Sequence, residues 1–158
     1  MKYQNMATAI LFQDTFVVTQ LNEGGKKFDR VNRLNCSGTN HAEVEMVVDV
    51  NCELFKVKTR DRILVALART LSLSGAPDDG KYNPSSGTNL SDNYDYVMHG
   101  RVFAIKHVEN HMVEVQASFG GLLFRLKGEQ AQLAQFSMDM QFYIMMRSTG
   151  EIGDAMDM

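Results

Sequence analysis

The chain has 158 residues, 44% of them hydrophobic with no tryptophan, and a formal charge of −3 at neutral pH. A chain of this length buries roughly 70% of its unfolded surface in one domain without staples, and no apolar run approaches the ~20 residues of a membrane-spanning helix. The charge excludes a uniformly basic, nucleic-acid-coating surface, and residues 1–7 hold no secretory apolar segment, so the expectation is a protein that stays inside the cell.

Residues 1–8 read as an N-terminal extension ahead of a first strand at 9–21, which is rich in β-branched and aromatic side chains. The turn sequence NEGG at 22–25 closes that strand. Lys26, Lys27, Arg30 and Arg33 then place four cations within eight residues. Such a cluster beside two glycines suits a phosphate backbone, and the same spacing also suits a solvated strand face. Phe28 and Val31 fall on opposite parities, which predicts a β-bulge or irregularity near Asp29 before a second strand ending at Cys36.

Residues 42–50 alternate into a third strand, with Val44, Met46 and Val48 inward and Glu43, Glu45 and Asp49 outward. Residues 54–60 carry charge on every second position, as a solvated face does, although a docking face has the same pattern. The apolar run 62–71 lacks helix caps and predicts a strand buried on both sides, with a short helix as the alternative. Residues 74–93 hold both prolines, three glycines and four serines, and form a long loop. Residues 94–106 resume as a long strand with Gly100 at its middle, where a bulge or barrel bend is the usual reason for glycine.

The register is written most plainly at residues 114–127. With Gly120 and Gly121 as a two-residue turn, Phe119 faces Leu122, Ala117 faces Phe124 and Val115 faces Leu126 on one apolar face. A one-residue slip would turn every one of these side chains to solvent. A phosphate-cradling role for the glycine pair lacks the helix start and GK[ST] that it requires. Residues 129–135 read as a helix of at most two turns with Leu133 and Phe136 as its apolar pair, residues 142–147 as a last strand, and residues 148–158 as a mobile acidic tail.

No metal or cofactor is expected. Cys36 and Cys52 with His41 between them lack a CxxC pair, which points to reduced thiols rather than zinc. His107 and His111 have HxxxH spacing but fall at a strand end and turn, where solvent-facing rings are expected. The segment of Asp78, Asp79 and Gly80 lacks the spacing of a calcium loop. Asp49, Asp61, Asp95 and Asp139 are scattered beside turns, with no converging nucleophile or carboxylate pair of the kind an enzyme needs. The whole chain, 1–158, therefore reads as one all-β domain: an OB-like Greek-key β-barrel of about eight strands with one short helix and a long loop. Its eleven methionines are expected to fill irregular core gaps.

The runs GKKFDRV (25–31), VVDVN (47–51), DDGKYNP (78–84), YDYVMHGRVF (94–103) and SFGGLLFRLKG (118–128) resemble the eighth, small subunit shared by eukaryotic nuclear RNA polymerases I, II and III. The likeness spans about residues 11–147, with His99 and Phe103 standing where that family usually has tyrosine. The resemblance implies a non-catalytic component of DNA-directed RNA polymerase in the nucleus, nucleolus included. It implies an OB-related barrel of two similar halves docked chiefly on the largest subunit, with non-specific single-stranded DNA binding through about residues 22–46. No membrane or small-molecule partner is implied. A freestanding OB-type single-strand binding module, with Phe28, Tyr94, Tyr96 and Phe103 as stacking rings, is the alternative.

Overall fold

The computed structural model describes residues 10–25, 29–41, 43–71 and 90–151. Eight strands follow one another: β1 (Ile10–Leu21), β2 (Val31–Gly38), β3 (Glu45–Asn51), β4 (Asp61–Ala68), β5 (Tyr96–Val108), β6 (Met112–Phe119), β7 (Leu122–Glu129) and β8 (Gln141–Glu151). They close into an antiparallel barrel in the order β1-β2-β3-β7-β6-β5-β8-β4. The all-β barrel expected from alternation is the fold observed.

The order resolves into two Greek keys. Around the barrel β4-β1-β2-β3 and β8-β5-β6-β7 each show the fourth strand returning beside the first. The halves repeat in detail. Thr19 is a bulge in β1 against β2, and Phe103 is a bulge in β5 against β6. Just beyond, Arg60 N–H bonds the Val18 carbonyl at 2.7 Å and Asp139 N–H bonds that of Val102 at 3.0 Å, with Arg60 at φ 81° and Asp139 at φ 65°. A bulge bends the strand and sharpens its twist, which turns each key from one wall of the barrel into the next.

Alternation sets the core. Val44, Met46 and Val48 are sealed inside, and Phe119, Phe124, Phe136 and Phe142 meet edge to face with centroids between 5.3 and 5.9 Å apart. Truncating the fully buried Phe142 to alanine would cost about 3–5 kcal/mol. β4 is covered on both sides, because Ile63, Val65 and Leu67 enter this core while Ala66 and Ala68 lie under Met145 in a smaller outer cluster. The alternating segment after β3 buries Phe55 and Val57 and leaves Lys56 and Lys58 in solvent. His107 and His111 are exposed, as expected.

The β6–β7 hairpin has every expected pair, from Phe119 with Leu122 to Glu114 with Lys127. Gly120 and Gly121 sit at φ 63° and 96°, and the Gly121 N–H bonds the Ser118 hydroxyl at 3.1 Å.

Several expectations are corrected. Residues 130–135 are turns rather than a helix: Leu133 N–H bonds the Glu129 carbonyl at 3.2 Å, and the apolar pair Leu133 and Phe136 turns at once into the core. The only helical turn among the described residues is a 3-10 turn at Leu90–Asn93. The irregularity near Asp29 is a turn leading into β2, and the bulge lies on β1. Gly100 is not itself the bulge; a Cβ there would strike the Ser118 carbonyl and the Phe119 ring, so its need is close approach of β6. Asp49, expected outward, is buried. β8 runs to Glu151 and takes the first residues of the stretch read as tail, while residues 1–8, most of the long loop and residues 152–158 lie outside the described residues.

Gly121→Val is expected to lower stability by about 1–3 kcal/mol. Nothing crowds a Cβ at that position, so the cost is that of a β-branched residue at positive φ. Chemical denaturation with an unchanged midpoint would contradict the turn.

Candidate nucleic-acid interface

The connection from β1 to β2 is built on Asn22, which adopts φ 51° and binds the facing strand three ways. Its N–H donates to the Arg33 carbonyl at 2.8 Å, its Oδ1 accepts the Arg33 N–H at 2.8 Å, and its amide donates to Asn32 Oδ1 at 2.9 Å. Gly24 and Gly25 follow at φ 82° and 104°, conformations that glycine adopts without strain. Of the basic cluster that follows, Arg30 and Arg33 are described. Lys26 and Lys27 lie outside the described residues.

Arg30 and Arg33 differ sharply. The Arg30 side chain is 76% exposed, and its contact to Glu53, 3.5 Å long and itself exposed, contributes little. Arg33 turns back onto the sheet, where its Nε and Nη2 donate to both carboxylate oxygens of Asp49 at 2.7 and 3.0 Å. Those hydrogen bonds hold the Arg33 pKa above its ordinary value.

Asp49 explains its own burial. The β3–β7 ladder stops at Val48 opposite Phe124, and one residue on, the Leu123 N–H is taken by Asp49 Oδ2 at 3.1 Å. A side-chain carboxylate thus completes the pairing where the backbones part. Losing Arg33 would leave a buried carboxylate half-satisfied, at a cost of about 1–3 kcal/mol with its partly solvated partner discounted. Alternation alone assigns Asp49 to the outer face; what it misses is that the outer face is covered there.

Arg33 also borders a groove of about 340 Å³ whose walls include Glu23, Asn35, Val47, Phe103 and Leu123. Phe103 and Leu123 are 48% and 46% exposed, a pair that strand parity did not single out. Of the rings expected to stack on bases, Tyr96 is buried against Phe55 with its hydroxyl accepting the Asn51 N–H at 3.0 Å, and Tyr94 packs on the outer cluster. Phe28 lies outside the described residues. Phe103 remains as the open ring.

Other chemistry-bearing side chains have structural partners. Asp14, its side chain fully buried, accepts from the backbone N–H of Thr15, Asn40 and His41, from the Asn40 amide at 2.9 Å, and meets His41 Nδ1 at 3.1 Å, which organises the β2–β3 turn. Asp61 Oδ2 accepts the Lys58 N–H at 2.9 Å. Cys36 and Cys52 are not joined by a disulfide. Cys36 is buried, which pushes its thiol up to about 12, and Cys52 Sγ is 3.9 Å from the Asp29 carbonyl.

Burial raises the Asp14 pKa, but the hydrogen bonds from Asn40, His41 and Thr15 outweigh it and the net value lies below 3.8. A depressed folded pKa adds stability that is present above the unfolded carboxylate value and lost as pH falls through the folded one. The melting temperature of the wild type is therefore expected to drop on acidification below about pH 4 more steeply than that of Asp14→Asn. Parallel pH profiles would refute this role.

Residues 13–148 match the family model described as RNA polymerase Rpb8. The chain is 39% identical to "DNA-directed RNA polymerases II, IV and V subunit 8B" of Arabidopsis thaliana, covering 87% of this chain and 95% of the relative. It is 37% identical to "Probable DNA-directed RNA polymerases I, II, and III subunit RPABC3" of Caenorhabditis elegans, over 89% and 97% of the two chains. With the corresponding subunit RPABC3 of Saccharomyces cerevisiae it shares 31% identity over 87% and 97%. Similarity that runs through all eight strands, at these identities and nearly the full length of each relative, means that the chain belongs to the RNA polymerase Rpb8 family.

Proposed function

We propose that this chain is a non-catalytic structural subunit shared by the nuclear DNA-directed RNA polymerases I, II and III, docked on the largest subunit. The observation that carries the reading is the full-length match to relatives named as shared polymerase subunits. The chemistry of the acids supports it: Asp14 and Asp49 spend both carboxylate oxygens on backbone and side-chain donors that hold turns and strands, and Asp61 Oδ2 accepts the Lys58 N–H. Its place of work is the nucleus, nucleolus included, where those enzymes act. A tagged chain is expected to elute from native nuclear extract with a very large complex and to co-purify the largest subunit. Elution near its own 17.8 kDa would favour a freestanding module instead.

A weak, sequence-tolerant affinity for single strands through Lys26, Lys27, Arg30 and Arg33 belongs to the same proposal. The exposure of Arg30 supports it. Because Asp49 holds the Arg33 fork, at most three phosphate contacts come from the cluster, so log K is expected to fall against log salt with a slope of about −2.1. Arg30→Gln is expected to flatten that slope by about 0.7, whereas Arg33→Gln chiefly lowers the melting temperature. An unchanged slope for a folded Lys26, Lys27 and Arg30 triple Gln variant would move the binding elsewhere.

A further inference from the structure

The barrel is closed, yet one strand outruns its neighbour. β5 pairs with β8 only from Tyr96 to Arg101, which faces the first residue of β8, Gln141. Val102 is still held on that side, its N–H by the Met140 carbonyl and its carbonyl by the Asp139 N–H. β5 then continues to Val108, paired on its other side with β6. In the first Greek key the corresponding overrun stops at Leu21, where Asn22 folds the chain back.

Backbone direction follows from these bonds. Val102 points its polar groups away from β6; the bulge inserts Phe103, and alternation then turns Ala104, Lys106 and Val108 toward β6 and Ile105 and His107 away from it. The Gly-Gly hairpin requires the same phase, because its closing pair of Phe119 and Leu122 directs odd-numbered β6 residues to β7 and even-numbered ones to β5. The N–H and C=O groups of Ile105 and His107 therefore form an open edge, and among the described residues no backbone partner lies against it.

The side chains beside this edge specify what fits. Phe103, Val108 and the neighbouring Met138 are 48%, 38% and 53% exposed. Across the outer face a ladder of alternating charge runs Glu45, Lys127, Glu114, Lys106 from β3 to β5 and ends on a cation at the edge. An added strand with an acid opposite Lys106 and apolar side chains two residues to either side continues both the hydrogen bonding and the ladder. We infer that the β5 edge over Ile105 and His107 receives an extended acidic-apolar segment of another polymerase subunit as an added strand. The inference rests on the proposed function and names the surface that function uses.

The test is hydrogen exchange on the wild-type chain, isolated and within purified polymerase, read together with incorporation of variants. The Ile105 and His107 amides are expected to exchange freely in the isolated chain and to slow at least about tenfold in the enzyme. His107→Pro removes an outward N–H while sparing the ladder to β6, as proline on an edge does. It is expected to melt like wild type and to incorporate about fivefold less well, with a further loss for Lys106→Glu and none for His107→Ala. Unprotected amides in an assembled enzyme, or normal incorporation of a folded His107→Pro, overturns the edge and leaves the subunit role standing. Protection of the same amides by single-stranded DNA added to the isolated chain assigns the edge to nucleic acid and overturns the protein partner. A wild-type chain that never enters polymerase overturns both.

Discussion

An antiparallel sheet that closes on itself must pair β3 with β7 and β4 with β8, strands far apart in sequence, and must do so with strands of unequal length. Closure removes the edges that would otherwise template aggregation, but it concentrates the difficulty at the seams where one strand ends before its neighbour. Two backbone devices answer it symmetrically: the bulges at Thr19 and Phe103, followed by Arg60 and Asp139 reaching back at positive φ to Val18 and Val102. A third answer is a side chain. Where β3 and β7 part, Asp49 supplies the acceptor that the backbone no longer can.

That substitution shapes the outer face around the candidate site. A buried carboxylate demands a cation, so Arg33 is drawn onto the sheet, and of the described members of the cluster Arg30 is the one left exposed, with Glu53 beside it at 3.5 Å. Leu123 at that seam and the bulged Phe103, on the far side of β6, line one groove as two exposed apolar side chains. The surface is thus a mixture of paired charge and exposed hydrocarbon. Such a mixture suits a protein partner better than a phosphate track, which needs unneutralised cations.

The pseudo-repeat adds an asymmetry with consequences. Both keys bulge at the same place, but β1 stops three residues beyond Val18 while β5 runs six beyond Val102. Among the described residues, the longer overrun leaves backbone donors and acceptors unpaired that the shorter one does not. A chain built from two like halves therefore has one closed shoulder and one open shoulder.

Much of this was written in residue order. Alternation of period two fixed which side chains of β3, β6 and β7 enter the core, because a slipped register would expose all of them, and the Gly120 and Gly121 pair fixed the hairpin phase through its positive φ. The family resemblance read from the motifs agrees with the family match. Long-range partners were not readable in the same way. That Asp49 is buried depends on Leu123, seventy-four residues away, and that Gly100 must lack a Cβ depends on Ser118 and Phe119 on the next strand. The helix expected at residues 129–135 has helix-forming side chains but gave way to turns, since Leu133 and Phe136 gain more by plugging the barrel than a two-turn helix gains by forming. Periodicity reports which face a residue occupies; only the closed tertiary structure decides what covers that face.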